Sequence, residues 1–232
     1  MLQSESDGWL SFSRPRLVLQ ADSVDAVRRT LVDVEQLTRD RGFHAVGFLA
    51  YEAGAAFGLR VRPEPSGLPL AWFGLFDGAD VEKTDGPAAV EPYEVDDVTP
   101  TLNRADFRVA FEAIREHLAA GDTYQANFTF ALRGRFAGDP RSLFADLVAG
   151  QGGQYSAYID LGEVAICSAS PELFFACVGA DLVSRPMKGT ARRGRTTAED
   201  RDIAARLAAS AKERAENVMI VDMVRNDLGR VA

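Results

Sequence analysis

The stretch EVAICSASPELFFACVGADLVSRP, residues 163–186, contains three short apolar runs separated by turn residues. Runs of this length and composition predict consecutive strands. Residues 196–229 carry a helical pattern instead, with possible capping boxes at Thr196-x-x-Glu199 and Ser210-x-x-Glu213, which predict two consecutive helices rather than one. Strand runs followed by helical runs, without strict alternation, favour the α+β class.

The N-terminal part of the chain predicts a similar mixture of elements. A strand-like run at 16–20 leads into an amphipathic helical pattern at 24–40. Apolar runs at 44–57 and 70–76 flank the breaker cluster RPEPSGLP at 62–69, which predicts buried strands around a turn.

An acidic segment with Pro and Gly at 77–103 predicts an exposed excursion before the next helix. That helix is predicted from Arg104, with Gly121 placed to end it. The run ANFTFALRGRF at 126–136 predicts a strand. We therefore expect an N-terminal layer over residues 1–102 and a second domain over residues 103–232.

Composition excludes several classes of function. The 232 residues are 47% hydrophobic and carry a net charge of −8, which argues against nucleic acid or an anionic membrane as a partner. Two cysteines and two histidines build neither a disulfide framework nor a histidine-rich zinc site. The sequence shows no secretory signal and no membrane-spanning run, so the expected location is the reduced cytoplasm.

Lys188 lies in RPMKGT, directly after a strand-like run. Pro186 and Gly189 impose a tight backbone path there, and a lysine in such a loop can act as a nucleophile or a charge clamp. Its amine needs desolvation or neighbouring cations to lose its proton, and nearby arginines are candidates. A solvated basic loop is the alternative, and the residues alone favour it.

Glu172 follows Ser170-Pro171 and precedes LFFA. A carboxyl group against aromatic surface can stay protonated near neutral pH and act as a general acid. The alternative is an ordinary carboxylate at the rim of a turn.

Glu213 and Glu216 are three residues apart and share one face of the last predicted helix. Two oxygen ligands without nearby His or Cys suit Mg²⁺ better than zinc. Local pairing with Lys212 and Arg214 explains the same spacing equally well. Gln125, in GDTYQANF, can hold a hydroxyl or carboxylate at a strand start, or be an ordinary polar strand residue.

Four segments in one order, GDTYQANF (121–128), SASPELFF (168–175), RPMKGTARRG (185–194) and SAKERAENVMIVDMVRNDLGRVA (210–232), resemble the chorismate-utilising enzymes. Within them the chain looks most like component I of the aminodeoxychorismate synthases. Lys188 makes this distinction, since related anthranilate synthases usually have alanine there. Isochorismate and salicylate synthases usually have lysine where this chain has Gln125, and glutamine cannot serve as a base.

The resemblance implies replacement of the C4 hydroxyl of chorismate by an amino group, on the route to 4-aminobenzoate and folate. Lys188 would attack the ring at C2, and Glu172 would protonate the departing hydroxyl. Gln125, Gly189 and Thr190 would bind substrate. Glu216, and less securely Glu213, would hold Mg²⁺, while a glutamine amidotransferase subunit would supply ammonia.

The family's fold is a large α+β unit with two packed, mainly antiparallel sheets flanked by helices. Residues 103–232 correspond to the N-terminal part of its chorismate-binding domain, because family members continue past RNDLGRVA. The resemblance therefore implies an incomplete fold, inactive by itself. The alternatives are component I of anthranilate synthase, or a non-catalytic remnant or interaction module.

Overall fold

The structure is a computed structural model that describes residues 1–4, 8–62 and 67–231. Its strands and α-helices, in chain order, are β1 (Leu2–Ser4), β2 (Gly8–Phe12), β3 (Leu17–Ala21), α1 (Val24–Arg41), β4 (His44–Leu49), β5 (Ala71–Phe76), β6 (Val81–Thr84), β7 (Tyr93–Pro100), α2 (Arg104–Ala120), β8 (Leu132–Gly138), α3 (Pro140–Gln151), β9 (Tyr155–Asp160), β10 (Ala165–Ser170), β11 (Leu173–Val178), β12 (Asp181–Arg185), α4 (Thr197–Ala209) and α5 (Ala211–Leu228). The chain divides into two compact units, one of Met1–Gly86 with Leu147–Ala232 and one of Pro87–Asp146.

A small core forms where α1 packs on the antiparallel sheet β3-β5-β4. Val27 of the helix is fully buried with Ala21, Ala53 and Ala71, because the apolar face of an amphipathic helix turns towards the sheet. The helix ends where Gly42 adopts φ 69°, a left-handed conformation that glycine accepts without a steric penalty. The helix predicted at 24–40 is therefore confirmed.

The apolar run at 44–57 is a strand only in its first half. Pairing with β5 stops at Leu49, and Tyr51–Phe57 forms a 3₁₀ helix. The prediction of strand throughout this run was wrong because its small residues, such as buried Ala53, let the chain turn tightly against α1. The turn predicted at 62–69 falls largely on residues 63–66, outside the described residues.

A five-stranded sheet in the order β10-β9-β1-β2-β6 belongs to the first unit. The predicted N-terminal layer and the predicted second domain both supply strands to it. The Met1 ammonium donates a hydrogen bond to the Tyr158 carbonyl oxygen at 2.8 Å, which ties the chain start to β9. The boundary after residue 102 stays a prediction.

The hairpin of β11 and β12 and the helices α4 and α5 follow this sheet in the first unit. The Thr196 hydroxyl accepts a hydrogen bond from the Glu199 amide at 3.2 Å, and the Ser210 hydroxyl accepts one from the Glu213 amide at 3.4 Å. Each side chain satisfies an otherwise unpaired N–H group of a first helical turn. Two consecutive helices are therefore confirmed.

The second unit pairs β7 with β8 and contains α2. Asn103 caps α2 through its side-chain oxygen, and Gly121 ends the helix with φ 80°, as predicted. The Phe107 ring lies 5.4 Å from that of Phe128 and 6.0 Å from that of Phe130. The strand predicted at 126–136 starts only at Leu132, so the first half of that prediction was wrong.

Every strand pair in the described ranges is antiparallel, and the helices are not interleaved strand by strand, which confirms the α+β class. The described helices include none with the length and apolar character needed to cross a membrane.

Candidate functional site

The β11–β12 hairpin brings Glu172 close to the segment that carries Lys188. Leu173 pairs with Arg185 at the open end of the hairpin, so the residues just before β11 and just after β12 meet there. The Met187 amide donates a hydrogen bond to Glu172 Oε1 at 2.9 Å. The Ser170 hydroxyl also accepts one from the Glu172 amide at 3.2 Å. The Glu172 carboxyl is thus hydrogen-bonded to Met187, the residue directly before Lys188.

The environment of Glu172 differs from the apolar pocket that its sequence context suggested. The residue is exposed, and neighbouring Phe174 is 83% exposed. Phe174 and Phe175 lie on opposite faces of β11, because consecutive strand residues alternate between faces, and both are exposed. The expectation that aromatic side chains desolvate this carboxyl is therefore wrong for the structure described.

Residues 186–196, which we call the lysine loop, connect β12 to α4. Gly189 has φ 73°, and a Cβ built on it would lie 2.9 Å from Glu213 Oε2 and 3.2 Å from Glu213 Cβ. The Glu213 side chain therefore packs directly on the Gly189 backbone, and the positive φ of Gly189 disfavours any other residue there. Lys188 is half-buried, and Thr190 is exposed. The loop and the first turn of α5 meet at this contact.

The arginines of this region are engaged by other partners rather than left beside Lys188. Arg192 pairs with Glu199 at 2.6 Å, Arg193 pairs with Asp200 at 2.7 Å, and Arg185 donates a hydrogen bond to the Tyr155 hydroxyl at 3.1 Å. Arg192 and Arg193, two of the arginines considered as neighbouring cations for the Lys188 amine, are therefore paired with acidic residues in the first turn of α4.

Hydrogen bonds to the ionised carboxylates change the acidity of these partners. The hydrogen bonds from Arg193 and then from the Gly194 amide lower the pKa of Asp200 to about 2. The Arg195 amide, followed by the Arg192 side chain, lowers the pKa of Glu199. The pKa of the Arg193 guanidinium is raised by the hydrogen bond to Asp200.

Glu213 and Glu216 lie on one face of α5, as predicted, and share Lys212 as a neighbour. Lys212 Nζ is 3.9 Å from Glu213 Oε1 and 3.8 Å from Glu216 Oε1. The alternative of local ion pairing is thus observed for Lys212. In residues 1–4, 8–62 and 67–231, no group of three or more His, Cys, Asp or Glu side chains is arranged for a metal ion.

The two carboxylates nevertheless fit part of a Mg²⁺ site. Magnesium is commonly held by one or two protein carboxylates and takes its other oxygens from water and substrate. The Lys212 side chain is 77% exposed, so its ammonium group can move into solvent when Mg²⁺ binds the same carboxylate oxygens. These residues would supply two ligands at most.

A groove of about 350 Å³ opens between the base of the β11–β12 hairpin and the second half of α5. Its lining includes Ser170, Glu172, Phe174, Pro186, Ile220 and Val224. The volume is within the range of small-molecule sites, and Glu172 is its acidic member. The sequence analysis missed Ile220 and Val224, although their spacing of four residues places both on one helical face.

Gln125 belongs to the second unit. Its Nε2 lies 3.4 Å from Asn127 Oδ1, while its Oε1 is buried and accepts no hydrogen bond from the described residues. It does not begin a strand, since the first strand after it starts at Leu132. The predicted position at a strand start is wrong, but the amide oxygen is free to accept a donor.

Comparison with known proteins identifies the family of the chain. A family model described as chorismate binding enzyme matches residues 2–232. Aminodeoxychorismate synthase component 1 of Escherichia coli is 40% identical over 131 residues, which cover 56% of this chain and 29% of the relative. Anthranilate synthase component 1 of Thermus thermophilus is 40% identical over 134 residues, with the same 56% and 29% coverage.

The fold has a match among solved structures. Anthranilate synthase component I from Streptococcus pneumoniae TIGR4 superposes with a TM-score of 0.74 at 18% identity, covering 96% of this chain and 61% of that one. The matched region spans under a third of each of the two sequence relatives named above. Because the family model extends over nearly all of its residues, the chain belongs to the chorismate-binding enzyme family.

Proposed function

We propose that this chain is the part of an aminodeoxychorismate synthase component I that carries the nucleophile and the general acid. The observation that supports this most directly is the hydrogen bond from the Met187 amide to Glu172 Oε1. It links the carboxyl expected to act as an acid to the loop that presents Lys188. Two groups that must act on one ring are thereby held at one hairpin end.

In the proposed reaction the Lys188 amine, in its unprotonated form, forms a bond to C2 of chorismate. The ring double bond shifts as the C4 hydroxyl leaves, and Glu172 donates the proton that makes it water. Ammonia then bonds to C4, the double bond shifts back and the C2–nitrogen bond breaks. The nitrogen at C4 returns a proton to the Glu172 carboxylate, which restores the acid. The Lys188 amine is released, and the product is 4-amino-4-deoxychorismate.

The remaining residues would bind and orient the substrate. The turn at Gly189 brings the loop backbone close to α5, and Thr190 and Gln125 offer hydrogen-bonding groups. Glu213 and Glu216 would hold Mg²⁺, which would offset the repulsion between a substrate dianion and an acidic protein. Ammonia would come from a glutamine amidotransferase subunit, and the cytoplasm is the expected location.

Anthranilate synthase component I is the second candidate, and the equal 40% identity to relatives of both names supports keeping it. Lys188 favours the first candidate because the anthranilate synthases that the motif resembles usually have alanine there. Alanine cannot form the covalent bond, so the two routes differ at this residue.

The test is product identification in a full-domain polypeptide that contains this chain, with chorismate, Mg²⁺ and ¹⁵N-labelled ammonia. We expect labelled 4-amino-4-deoxychorismate, and formation of anthranilate instead would contradict the assignment. Lys188→Ala should abolish product while chorismate binding, measured by calorimetry, changes little. Lys188→Arg keeps the charge without the nucleophile, so turnover by this variant would show a charge clamp instead.

A further inference from the structure

The lysine loop is anchored to the protein on both sides of Lys188 and Thr190. On the N-terminal side the Met187 amide donates a hydrogen bond to Glu172 Oε1 at 2.9 Å, and Gly189, directly after Lys188, lies against the Glu213 side chain of α5. On the other side the loop meets the first turn of α4. The second contact has no assigned part in the proposed chemistry.

Gly194 makes the second contact through its backbone. A Cβ built on it would lie 2.2 Å from the Asp200 amide nitrogen and 2.6 Å from Asp200 Cα. Real side chains never approach backbone atoms so closely, so the loop can reach α4 only because residue 194 is glycine.

Asp200 closes this contact with three hydrogen bonds. Its Oδ1 accepts from Arg193 Nε at 2.8 Å and from the Gly194 amide at 2.7 Å, and its Oδ2 accepts from Arg193 Nη2 at 2.7 Å. The two Arg193 donors bind the two carboxylate oxygens side by side, which fixes the orientation of the guanidinium group as well as its distance from Asp200. Glu199 adds the Arg192 side chain at 2.6 Å and the Arg195 amide at 2.8 Å.

We infer that Asp200 is a positioning residue for Lys188. Resting on the proposed function, this role requires Asp200 to hold Arg193 and Gly194 on α4 while Glu172 holds the Met187 amide at the hairpin end, so that Lys188 lies between the two anchors. The segment between the two anchors then has few conformations left, and the Lys188 amine starts near its reacting position. Removing one anchor frees the loop without removing any group that touches substrate.

Trypsin tests the anchor directly, because it cleaves after Arg193 and Arg195 in the loop and after Arg206 within α4. In Asp200→Asn we expect cleavage after Arg193 and Arg195 to be roughly five- to tenfold faster, as loss of a charged hydrogen bond predicts. Cleavage after Arg206 should stay at the rate of the parent chain, since it reports opening of the helix itself. Fragment masses followed over time give both rates.

Two further variants separate the anchor from a general effect on α4. Asp202→Asn removes an acid two residues away that pairs with Arg206 of the same helix at 3.0 Å, and the rate of loop cleavage in this variant should match that of the parent. Arg193→Lys keeps every charge and a trypsin site but loses the two side-by-side donors, so its loop cleavage should rise. Since Arg193 is exposed, this variant carries the test if Asp200→Asn does not fold.

The Met187 methyl group supplies a spectroscopic readout next to Lys188. The chain has four methionines, so ¹³C-methyl labelling gives few signals, and Met187→Leu assigns the relevant one. Asp200→Asn should shift and sharpen the Met187 signal while leaving that of Met1. In the full-domain polypeptide the same variant should lower kcat several-fold with little change in KM for chorismate.

Unchanged loop cleavage and an unchanged Met187 signal in Asp200→Asn would overturn the inference, as would equal acceleration after Arg206. These outcomes are independent of the chemistry assigned to Lys188. If Lys188→Ala keeps full turnover while Asp200→Asn frees the loop, the proposed function fails and the anchor stands.

Discussion

At the scale of single residues, the candidate site depends on backbone groups as much as on side chains. The Met187 amide and the Glu172 carboxylate are 15 residues apart in sequence and 2.9 Å apart in space. Gly189 has no side chain to contribute, yet its left-handed turn is what lets Glu213 reach the lysine loop. The position of Lys188 therefore depends on the backbone groups of its two neighbours, Met187 and Gly189.

Glu216→Gln should raise the Mg²⁺ concentration needed for half-maximal turnover at least roughly tenfold in the full-domain polypeptide. An amide oxygen is a weaker ligand for a hard cation than a carboxylate. Calorimetric titration of Mg²⁺, with and without chorismate, provides a readout that does not depend on turnover.

The matched control for this variant is Asp222→Asn on the same helix. Asp222 pairs with Arg225 at 3.0 Å, so the substitution removes one local ion pair and leaves both proposed ligands. Superimposable Mg²⁺ curves for Glu216→Gln, Asp222→Asn and the parent would show that Glu216 is not a metal ligand. Its ion pair with Lys212 would then be its only assigned contact.

At the scale of elements, the contact between α4 and the lysine loop depends on ionised acids. The pKa of Asp200 is lowered from its ordinary 3.8 to about 2 by the Arg193 and Gly194 hydrogen bonds. A group with a lowered pKa in the folded state stabilises that state above its unfolded pKa. This contribution is present above about pH 4 and is lost as the pH falls towards 2.

We therefore expect the difference in the free energy of unfolding between the parent and Asp200→Asn to shrink as the pH falls from 4 to 2. Urea unfolding followed by circular dichroism at several pH values measures it. Asp202→Asn is the control, since it removes an acid of the same helix that pairs with Arg206 and not with the lysine loop. A difference that grows towards pH 2 would contradict the pKa assignment.

At the scale of the whole molecule, much apolar surface is left uncovered in the described ranges. None of the described residues of α5 or α2 is buried. On α5, Val218 is 62% exposed and Met223 is 51% exposed. Exposed apolar groups on neighbouring turns form patches that favour association.

The 232-residue polypeptide by itself should form no 4-amino-4-deoxychorismate with excess ammonia and Mg²⁺, and it should self-associate. Glu172 is exposed, so charges at this site act in a high dielectric and cannot preorganise a transition state. Mass spectrometry of the reaction and light scattering over a concentration series test both parts. A monomer that turns over at ordinary enzyme rates would contradict them.

The sequence by itself determined the features that depend on local chemistry. Helix α1, both N-caps at Thr196 and Ser210, and the end of α2 at Gly121 follow from periodicity and from side chains that satisfy nearby backbone groups. The ordered motifs also predicted the family, because residue types around Lys188 and Glu172 are readable without coordinates.

Only the tertiary structure decided the features that depend on distant neighbours. The 3₁₀ helix at Tyr51–Phe57 replaced a predicted strand because its small residues pack on α1. Arg193 was one candidate for a cation near the Lys188 amine, and only the fold shows that it pairs with Asp200 of α4. Apolar pattern and charge are properties of the chain, but burial and ion pairing depend on which groups the fold brings together, so they could not be predicted from spacing alone.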